Sequence, residues 1–173
     1  RTGSTSLVLG EKYYTGFFTH KKNMLLKVSN LQANQNEFKY MNYISQIPNA
    51  KDYYAITQDL KFIITEENPF FEKIQKLIEK EDIPLLKTSP LTCYYIEYAG
   101  DLELYDSVYK LQRYNDMSFW RKSKDILVLL QHLILALMYL HQNKICHLDV
   151  KLENIMINSK NRSFKLVDFG FSS

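Results

Sequence analysis

Hydrophobic and polar positions alternate along much of the first hundred residues, a pattern typical of strands in an antiparallel sheet. Two short apolar runs, 6–9 and 23–28, are separated by polar turns, and 13–18 could supply a strand between them. Two later segments, 53–64 and 91–98, are rich in aromatic and β-branched residues and predict two more strands.

Helical spacing of apolar residues replaces this alternation in three places. Residues 34–47 carry an apolar stripe that Pro48 ends, and a second helix begins at Pro69. The longest pattern, 123–142, is apolar nearly all round, which predicts a buried helix packed on several sides. After it, two short apolar runs flank the polar turn 158–163 and predict a hairpin. The elements follow one another as a sheet with one helix, a mostly helical part and a hairpin. This order predicts an α+β fold in two parts, with a crevice expected between them.

Composition narrows the class of protein. The 173 residues are 46% hydrophobic and 14% aromatic, as in a folded globular chain. The net charge is +3 without a basic block, so no nucleic-acid partner is expected. The longest apolar stretch, 126–140, is too short and polar for a membrane span, so no membrane partner is expected either. Two distant cysteines, Cys93 and Cys146, and a start without a signal peptide favour buried thiols and an intracellular, cytoplasmic location.

The chemistry-bearing segment is His147-Leu148-Asp149-Val150-Lys151-Leu152-Glu153-Asn154, followed by Asp168-Phe169-Gly170. Carboxylate and amide oxygens that flank a hairpin can hold a hard cation such as Mg²⁺. A further carboxylate can orient a hydroxyl, and a lysine beside it can neutralise a phosphoryl group in transfer. Taken singly, each Asp could be a turn or cap residue, and His147 a structural histidine.

The set resembles the catalytic loop and magnesium motif of eukaryotic-type serine/threonine protein kinases. The resemblance implies that Asp149 is the catalytic base, that Lys151 contacts the γ-phosphate of ATP, and that Asn154 and Asp168 bind Mg²⁺. His147 and Phe169 would pack behind the site. Leu148 replaces the arginine that in most of these kinases receives a phosphorylated activation loop, which suggests that this chain does not depend on that switch.

The resemblance extends backward to the nucleotide site. Lys27 is similar to the strand lysine that holds the α- and β-phosphates, with Glu37 as its ion-pair partner. The run 94–100 resembles the hinge, where backbone groups of Glu97 and Ala99 would bind adenine and Ile96 would guard the back pocket. A buried strand followed by a turn explains the same run equally well.

The start of the chain is similar to the glycine-rich phosphate loop only in part. Gly3 matches one glycine, Arg1 and Ser6 stand at the other two, and Val8 matches the residue that covers adenine. Glycine lets the backbone approach phosphates closely, so these departures affect nucleotide affinity. Leu25 also replaces the usual small residue above adenine.

The implied fold is a protein kinase-like α+β fold: an antiparallel-sheet N-lobe with one key helix (1–98) and the hinge and first part of a helical C-lobe (99–173). A helical insertion, 66–87, lies in the N-lobe; its charged face predicts a solvated helix, with a docking surface as the alternative. The family's activation segment and later helices do not follow, which implies an incomplete C-lobe. We therefore expect the isolated chain to expose apolar helix faces and to aggregate.

Three functions remain. The first is a serine/threonine protein kinase that acts with ATP and Mg²⁺ on a protein substrate. The second is a pseudokinase or nucleotide-binding interaction module. It is favoured by the poor glycine loop, Leu25, Leu148 and the missing part of the C-lobe, and it is opposed by the intact Lys27, Asp149, Asn154 and Asp168. The third, a small-molecule kinase of related fold, is disfavoured by the run 151–154.

Overall fold

The chain folds into two compact units, seen in a computed structural model. The first unit comprises Arg1–Asn42 and Thr57–Tyr98, and the second comprises Tyr43–Ile56 and Ala99–Ser173. The second unit thus includes 43–56, which the predicted division into 1–98 and 99–173 assigns to the other part. The structure describes residues 6–14, 23–30, 34–57, 61–87, 90–113 and 123–173.

A four-stranded antiparallel sheet forms the first unit. Its strands are β1 (Ser6–Leu9), β2 (Met24–Asn30), β3 (Phe62–Ile64) and β4 (Leu91–Glu97), in the order β1-β2-β4-β3. Side chains of successive residues point to opposite faces, so each strand supplies two different surfaces.

One face of this sheet carries the hydrophobic core. Leu26 and Val28 of β2 are fully buried there. Helix α4 (Pro69–Lys80) lies in the same cluster, to which it contributes Phe70, Ile74 and Ile78. The helix begins as its sequence predicts, with Pro69 in the first turn and the side chain of Asn68 accepting a hydrogen bond from the Phe70 amide at 2.9 Å. The helix expected within 66–87 is therefore confirmed, and its apolar face belongs to the core.

Two more helices accompany the sheet. In α1 (Glu11–Tyr14), the Tyr14 side chain is fully buried, and its hydroxyl donates to the Met24 carbonyl at 2.9 Å. The other helix, α2 (Asn34–Ile44), is the one predicted over 34–47. It ends three residues earlier, where a turn follows with the Ile47 amide bonded to the Ile44 carbonyl.

The second unit combines helices with a small sheet. Its helices are α3 (Ala50–Tyr53), α5 (Leu104–Arg113) and α6 (Ser123–Gln142). Its strands are β5 (Leu102–Glu103), β6 (Ile155–Asn158) and β7 (Ser163–Leu166), in the order β5-β6-β7. The predicted hairpin is confirmed, because β6 and β7 pair antiparallel around the turn.

A glycine allows the chain to pass close to this hairpin. A side chain on Gly100 would overlap the Ile157 carbonyl, and the next amide, that of Asp101, donates to that same carbonyl at 3.0 Å. The Asp101 carboxylate accepts from the amide and hydroxyl of Ser159 at 2.8 and 2.6 Å. Both bonds lower the pKa of Asp101, the hydroxyl bond most strongly.

Two strand predictions are wrong. Tyr13 and Tyr14 lie in α1, while the rest of 13–18 lies outside the described residues. The predicted strand 53–64 is also broken: it starts in α3, makes single bridges at Tyr54 and Thr57, and forms a true strand only at β3. Its two ends belong to different units, so no single ladder can contain them.

Helix α6 matches its predicted bounds, and it has the exposed apolar faces expected of the isolated chain instead of burial on several sides. Leu129, Ala136 and Leu140 are buried, whereas Leu127 and Ile134 on other sides are 64% and 57% exposed. The described part of the chain therefore covers only some of the apolar side chains of α6. Within those same residues, no helix combines the length and apolarity that crossing a membrane requires.

The two cysteines differ in environment. Cys93 is buried, and burial raises the pKa of its thiol. Cys146 is exposed, contrary to the prediction that both thiols are buried. It follows α6 in a stretch whose backbone pairs with that of Ser173.

Candidate active site

A buried ion pair marks the face of the sheet opposite the core. Lys27 lies in the middle of β2 and Glu37 in the first turn of α2, and both are more than 90% buried. The Lys27 Nζ and Glu37 Oε1 atoms are 2.5 Å apart. Since burial removes the hydration of both charges, each depends on the other for compensation. The ten-residue separation is sufficient because α2 begins four residues after β2 ends.

Apolar residues accompany Lys27 on this face. In the strand register, Val8 lies opposite Lys27, and Leu25 lies opposite Ile96. Val8 is 46% exposed, and Leu25 and Ile96 are partly exposed. A flat apolar ligand such as a purine ring could lie against these side chains.

The remaining predicted nucleotide contacts are placed as follows. Glu97 is the last residue of β4, opposite Met24. Ala99, two residues on, is buried and belongs to the second unit. Gly3 lies outside the described residues.

The second unit brings three predicted residues around one carboxylate oxygen. Asp149 Oδ2 accepts from Lys151 Nζ at 2.7 Å and from Asn154 Nδ2 at 2.9 Å. The lysine bond is the largest cause that lowers the pKa of Asp149, and the asparagine bond acts in the same direction. The same pair raises the pKa of Lys151. Asp149 is therefore a carboxylate at neutral pH, and both side-chain donors bind the same one of its two oxygens.

Asn154 connects the loop to the hairpin. It is buried at the end of a single 3₁₀ turn, Leu152–Asn154. Its Nδ2 also donates to the Asp149 carbonyl at 2.9 Å, and its own carbonyl accepts from the Val167 amide at 2.9 Å. This orientation commits the NH₂ group to Asp149, so Oδ1 is the side-chain atom suited to a cation.

Asp168 follows directly in an unusual backbone conformation. Its φ is +66°, in the left-handed region that residues other than glycine rarely adopt. The Gly170 amide reaches its Oδ1 at 3.4 Å. Such a conformation persists only where neighbouring contacts enforce it, and it recurs at functional sites.

Those contacts begin with His147 and Phe169, the two predicted packing residues. Both are buried, with ring centroids 4.8 Å apart. His147 Nδ1 accepts from the Asp149 amide at 3.3 Å, and Nε2 lies 3.0 Å from the Val167 carbonyl, to which it can only donate. One accepting and one donating nitrogen define a neutral imidazole. Burial, which lowers the pKa of His147, acts in the same direction.

Leu148, between His147 and Asp149, is 66% exposed and also has a left-handed φ of +62°. Its side chain is therefore directed away from the packing that holds its neighbours.

The donor set can be compared with the needs of Mg²⁺. Within the described ranges, no group of three or more His, Cys, Asp or Glu residues is arranged to hold a metal. Mg²⁺ does not require one, because it keeps several waters and binds one or two protein oxygens together with phosphates. Asn154 Oδ1 and the Asp168 carboxylate are hard oxygen donors of that kind.

Sequence reasoning missed Tyr54. This residue is fully buried, and its ring contacts that of Phe169 with centroids 5.8 Å apart. The pair Tyr53-Tyr54 suggested a strand, and no motif distinguishes one tyrosine from the other. Only the fold reveals that the segment 43–56 belongs to the second unit, together with Asp149 and Phe169.

Comparison with known proteins supplies independent information. A family model described as "Protein kinase domain" matches residues 92–173. NUAK family SNF1-like kinase 2 of Rattus norvegicus is 27% identical over 128 residues, which cover 74% of this chain and 18% of that protein. Serine/threonine-protein kinase pakG of Dictyostelium discoideum is 35% identical over 131 residues, 70% of this chain and 11% of that protein.

The chain spans a small part of such relatives. Serine/threonine-protein kinase pakH of the same organism is 26% identical over 180 residues, which cover 98% of this chain but 29% of that protein. Among solved structures, that of the Cydia pomonella granulovirus kinase PK-1 matches with a TM-score of 0.57 and 17% identity, over 87% of this chain and 43% of that one. This likeness confirms the predicted fold.

Proposed function

Because the chain belongs to the eukaryotic-type serine/threonine protein kinase family, we propose that it transfers the γ-phosphoryl group of ATP to a serine or threonine hydroxyl of a protein substrate. The observation that carries this proposal is the convergence of Lys151 and Asn154 on Asp149 Oδ2. Phosphoryl transfer depends on positioning and electrostatic stabilisation, and this arrangement provides both around one carboxylate.

Asp149 is the residue that binds the hydroxyl group of the acceptor serine or threonine. Its carboxylate accepts the hydroxyl hydrogen bond and aligns the nucleophile with the phosphorus atom. A carboxylate is a weak base, so it takes the proton late, when the new O–P bond has largely formed. The bond between the γ-phosphorus and the bridging oxygen breaks, and the electron pair leaves with ADP.

Lys151 changes partner in this mechanism. It is bound to Asp149 in the free protein, where its side chain is 47% exposed. With a phosphoryl group present, its ammonium stabilises the negative charge on the transferred oxygens. Asn154 keeps its bonds to Asp149 throughout, which holds the carboxylate in place.

Asn154 and Asp168 are the residues that would hold Mg²⁺, and the bound ion neutralises phosphate charge. Lys27, kept in place by its ion pair with Glu37, binds the α- and β-phosphates of ATP. Val8 and Leu25 supply the apolar surface for adenine, and Ile96 guards the back pocket. Backbone groups of Glu97 and Ala99 supply the hydrogen bonds to adenine. Gly3 is assigned to the phosphate loop.

A second function has one observation in its favour. Leu25 lies opposite Ile96 in the sheet, at the position where the resemblance to protein kinases implies a small residue above adenine. This favours a pseudokinase, or a nucleotide-binding interaction module, over an efficient enzyme.

Turnover of ATP distinguishes the two functions. The assay uses the longest natural polypeptide that carries this sequence, a generic basic protein as acceptor, and Asp168→Ala as the control. The kinase proposal predicts Mg²⁺-dependent turnover that the control lacks. Absence of turnover, with ATP still raising the melting temperature, would instead support the binding module.

A further inference from the structure

Tyr54 joins the segment 43–56 to the strand that leads into Asp168. The residue is extended and forms a parallel bridge with Leu166, the last residue of β7. The next amide, that of Ala55, lies 3.4 Å from the Leu166 carbonyl. Since Leu166 is two residues before Asp168, this short pairing lies beside the start of the proposed magnesium segment.

The Tyr54 side chain is anchored at its far end. It is fully buried, and its hydroxyl donates to the Ala136 carbonyl of α6 at 2.5 Å. A carbonyl oxygen has two lone pairs, so this helical carbonyl can accept the bond beside its own helical one. A buried hydroxyl requires such a partner, and the bond fixes the direction of the ring.

The anchored ring forms one wall of the Phe169 site. Tyr54 and Phe169 meet edge to face, with centroids 5.8 Å apart and planes 79° apart. His147 lies against Phe169 as well, 4.8 Å away. Phe169 is fully buried, and two rings contact it. His147 comes from the loop before the hairpin, and Tyr54 comes from a distant segment of the chain.

The contact between Tyr54 and Phe169 bears on the backbone conformation of Asp168, the residue before Phe169. The left-handed φ of Asp168 is unfavourable for a side chain with a Cβ, and it persists only if its neighbours are fixed. Phe169 is the adjacent residue, so a side chain that is fixed at Phe169 restricts rotation of the backbone that joins it to Asp168. A wall that keeps Phe169 in place therefore also keeps the Asp168 carboxylate in one direction.

We propose that Tyr54 is a positioning residue that holds Phe169 and thereby orients Asp168 for a divalent cation. The part that concerns the cation rests on the proposed function; the part that concerns Phe169 rests on contacts alone. Two readouts keep these parts separate.

The chain provides a matched control in Tyr53. It is the neighbouring tyrosine of the same segment and also packs on rings, with centroids 4.8 Å from His132 and 5.1 Å from Tyr139. Its closest ring contacts therefore lie along α6, whereas those of Tyr54 include Phe169. Substitution of Tyr53 tests the general effect of lost aromatic packing in this unit.

The first readout is ¹⁹F NMR of 4-fluorophenylalanine introduced at position 169. A single narrow resonance is expected in the otherwise unchanged chain and in Tyr53→Phe. Tyr54→Phe removes only the anchoring oxygen, so we expect its line to broaden or divide. Tyr54→Leu, where it folds by circular dichroism, should give a larger effect. Equal spectra for Tyr54→Phe and Tyr53→Phe would overturn the proposal.

The second readout is the Mg²⁺ concentration that half-saturates ATP binding, from thermal shift. Tyr54→Phe should raise it about threefold, the effect of one hydrogen bond. Tyr54→Leu should raise it about tenfold, because a displaced ligand weakens a site sharply. Tyr53→Leu should lower the melting temperature and leave the midpoint unchanged; an equal rise in Tyr53→Leu would contradict the positioning role. If unchanged protein shows no Mg²⁺-dependent ATP binding, the proposed function fails, and the NMR comparison still decides the role of Tyr54.

Discussion

Lys27 and Glu37 form an ion pair with 2.5 Å between Nζ and Oε1, and both side chains are less than 10% exposed. The lysine comes from the sheet and the glutamate from the helix beside it, so the pair joins α2 to β2. In the same helix, the Phe38 ring meets that of Tyr94, with centroids 5.3 Å apart. A polar and an aromatic contact thus fix the start of α2 on one face of the sheet.

Substitution of one partner should be more harmful than substitution of both. Lys27→Met leaves the Glu37 carboxylate buried without compensation, and we expect it to lower the free energy of unfolding by about 3–5 kcal/mol. Lys27→Met combined with Glu37→Leu should recover most of that loss, because no buried charge remains. Urea unfolding of the two variants measures the difference. Equal destabilisation by the single and double substitutions would mean that the pair is not coupled.

The pKa of Asp149 should depend on Lys151. The lysine bond is the largest cause that lowers this pKa, so Lys151→Met should move it upward, toward the ordinary value of 3.8. Carboxyl ¹³C NMR titration of the chain measures the change without requiring activity. Lys144→Met, an exposed lysine after α6, is the control and should leave the titration unaltered. A downward or absent shift in Lys151→Met would contradict the hydrogen-bonded arrangement.

Acid should destabilise the second unit through His132. Burial lowers the pKa of this histidine in the folded chain, although Asp52 nearby opposes the shift. The unfolded chain therefore binds the proton more readily, and the free energy of unfolding falls as the pH drops below about 6.5, the ordinary histidine value. His132→Phe should reduce that decline between pH 7.5 and 5.5, as measured by urea unfolding at both values. His147, whose pKa burial also lowers, leaves a residual decline.

That prediction has a matched control. His141 is an exposed histidine at the end of the same helix α6, and His141→Phe should not alter the pH dependence. If both variants changed the pH dependence of the free energy of unfolding equally, His132 would not be the cause of the loss of stability in acid.

Helix α4 should behave as part of the core of the first unit. Ile74 is fully buried in the cluster with Leu26 and Val28, so Ile74→Ala should lower the free energy of unfolding by about 2–5 kcal/mol. Lys76→Ala, on the exposed face of the same helix, should change it by less than about 0.5 kcal/mol. Similar small effects from both variants would show that α4 is a dispensable attachment.

The sequence predicts those parts of the fold whose information is local. Pro69 and the spacing of Phe70, Ile74 and Ile78 determine α4, and the apolar runs around 158–163 determine the hairpin. The pairing of Lys27 with Glu37 is predicted as well, but through the resemblance to protein kinases and not through the strand and helix patterns themselves.

The remaining features depend on tertiary contacts. A run with strong strand propensity, 53–64, is divided because Tyr54 pairs with Leu166 whereas Thr57 pairs with Ile96. Propensity describes a residue's suitability for a pleated surface and not which surface is available. The role proposed for Tyr54 is hidden for the same reason, because its partners Ala136 and Phe169 are 82 and 115 residues away along the chain.

Phosphoryl transfer to a protein hydroxyl is tested most directly by a measurement that follows the phosphoryl group itself. Radiolabelled γ-phosphate of ATP is incubated with Mg²⁺, a basic acceptor protein and the longest natural polypeptide that carries this sequence, and the label is traced to individual amino acids. We expect label on serine or threonine, and a rate of labelling at least about a hundredfold lower in Asp149→Asn, which retains the shape of the side chain but cannot accept the proton. Label that persists at the original rate in Asp149→Asn, or that never reaches a protein hydroxyl, would contradict the proposed function.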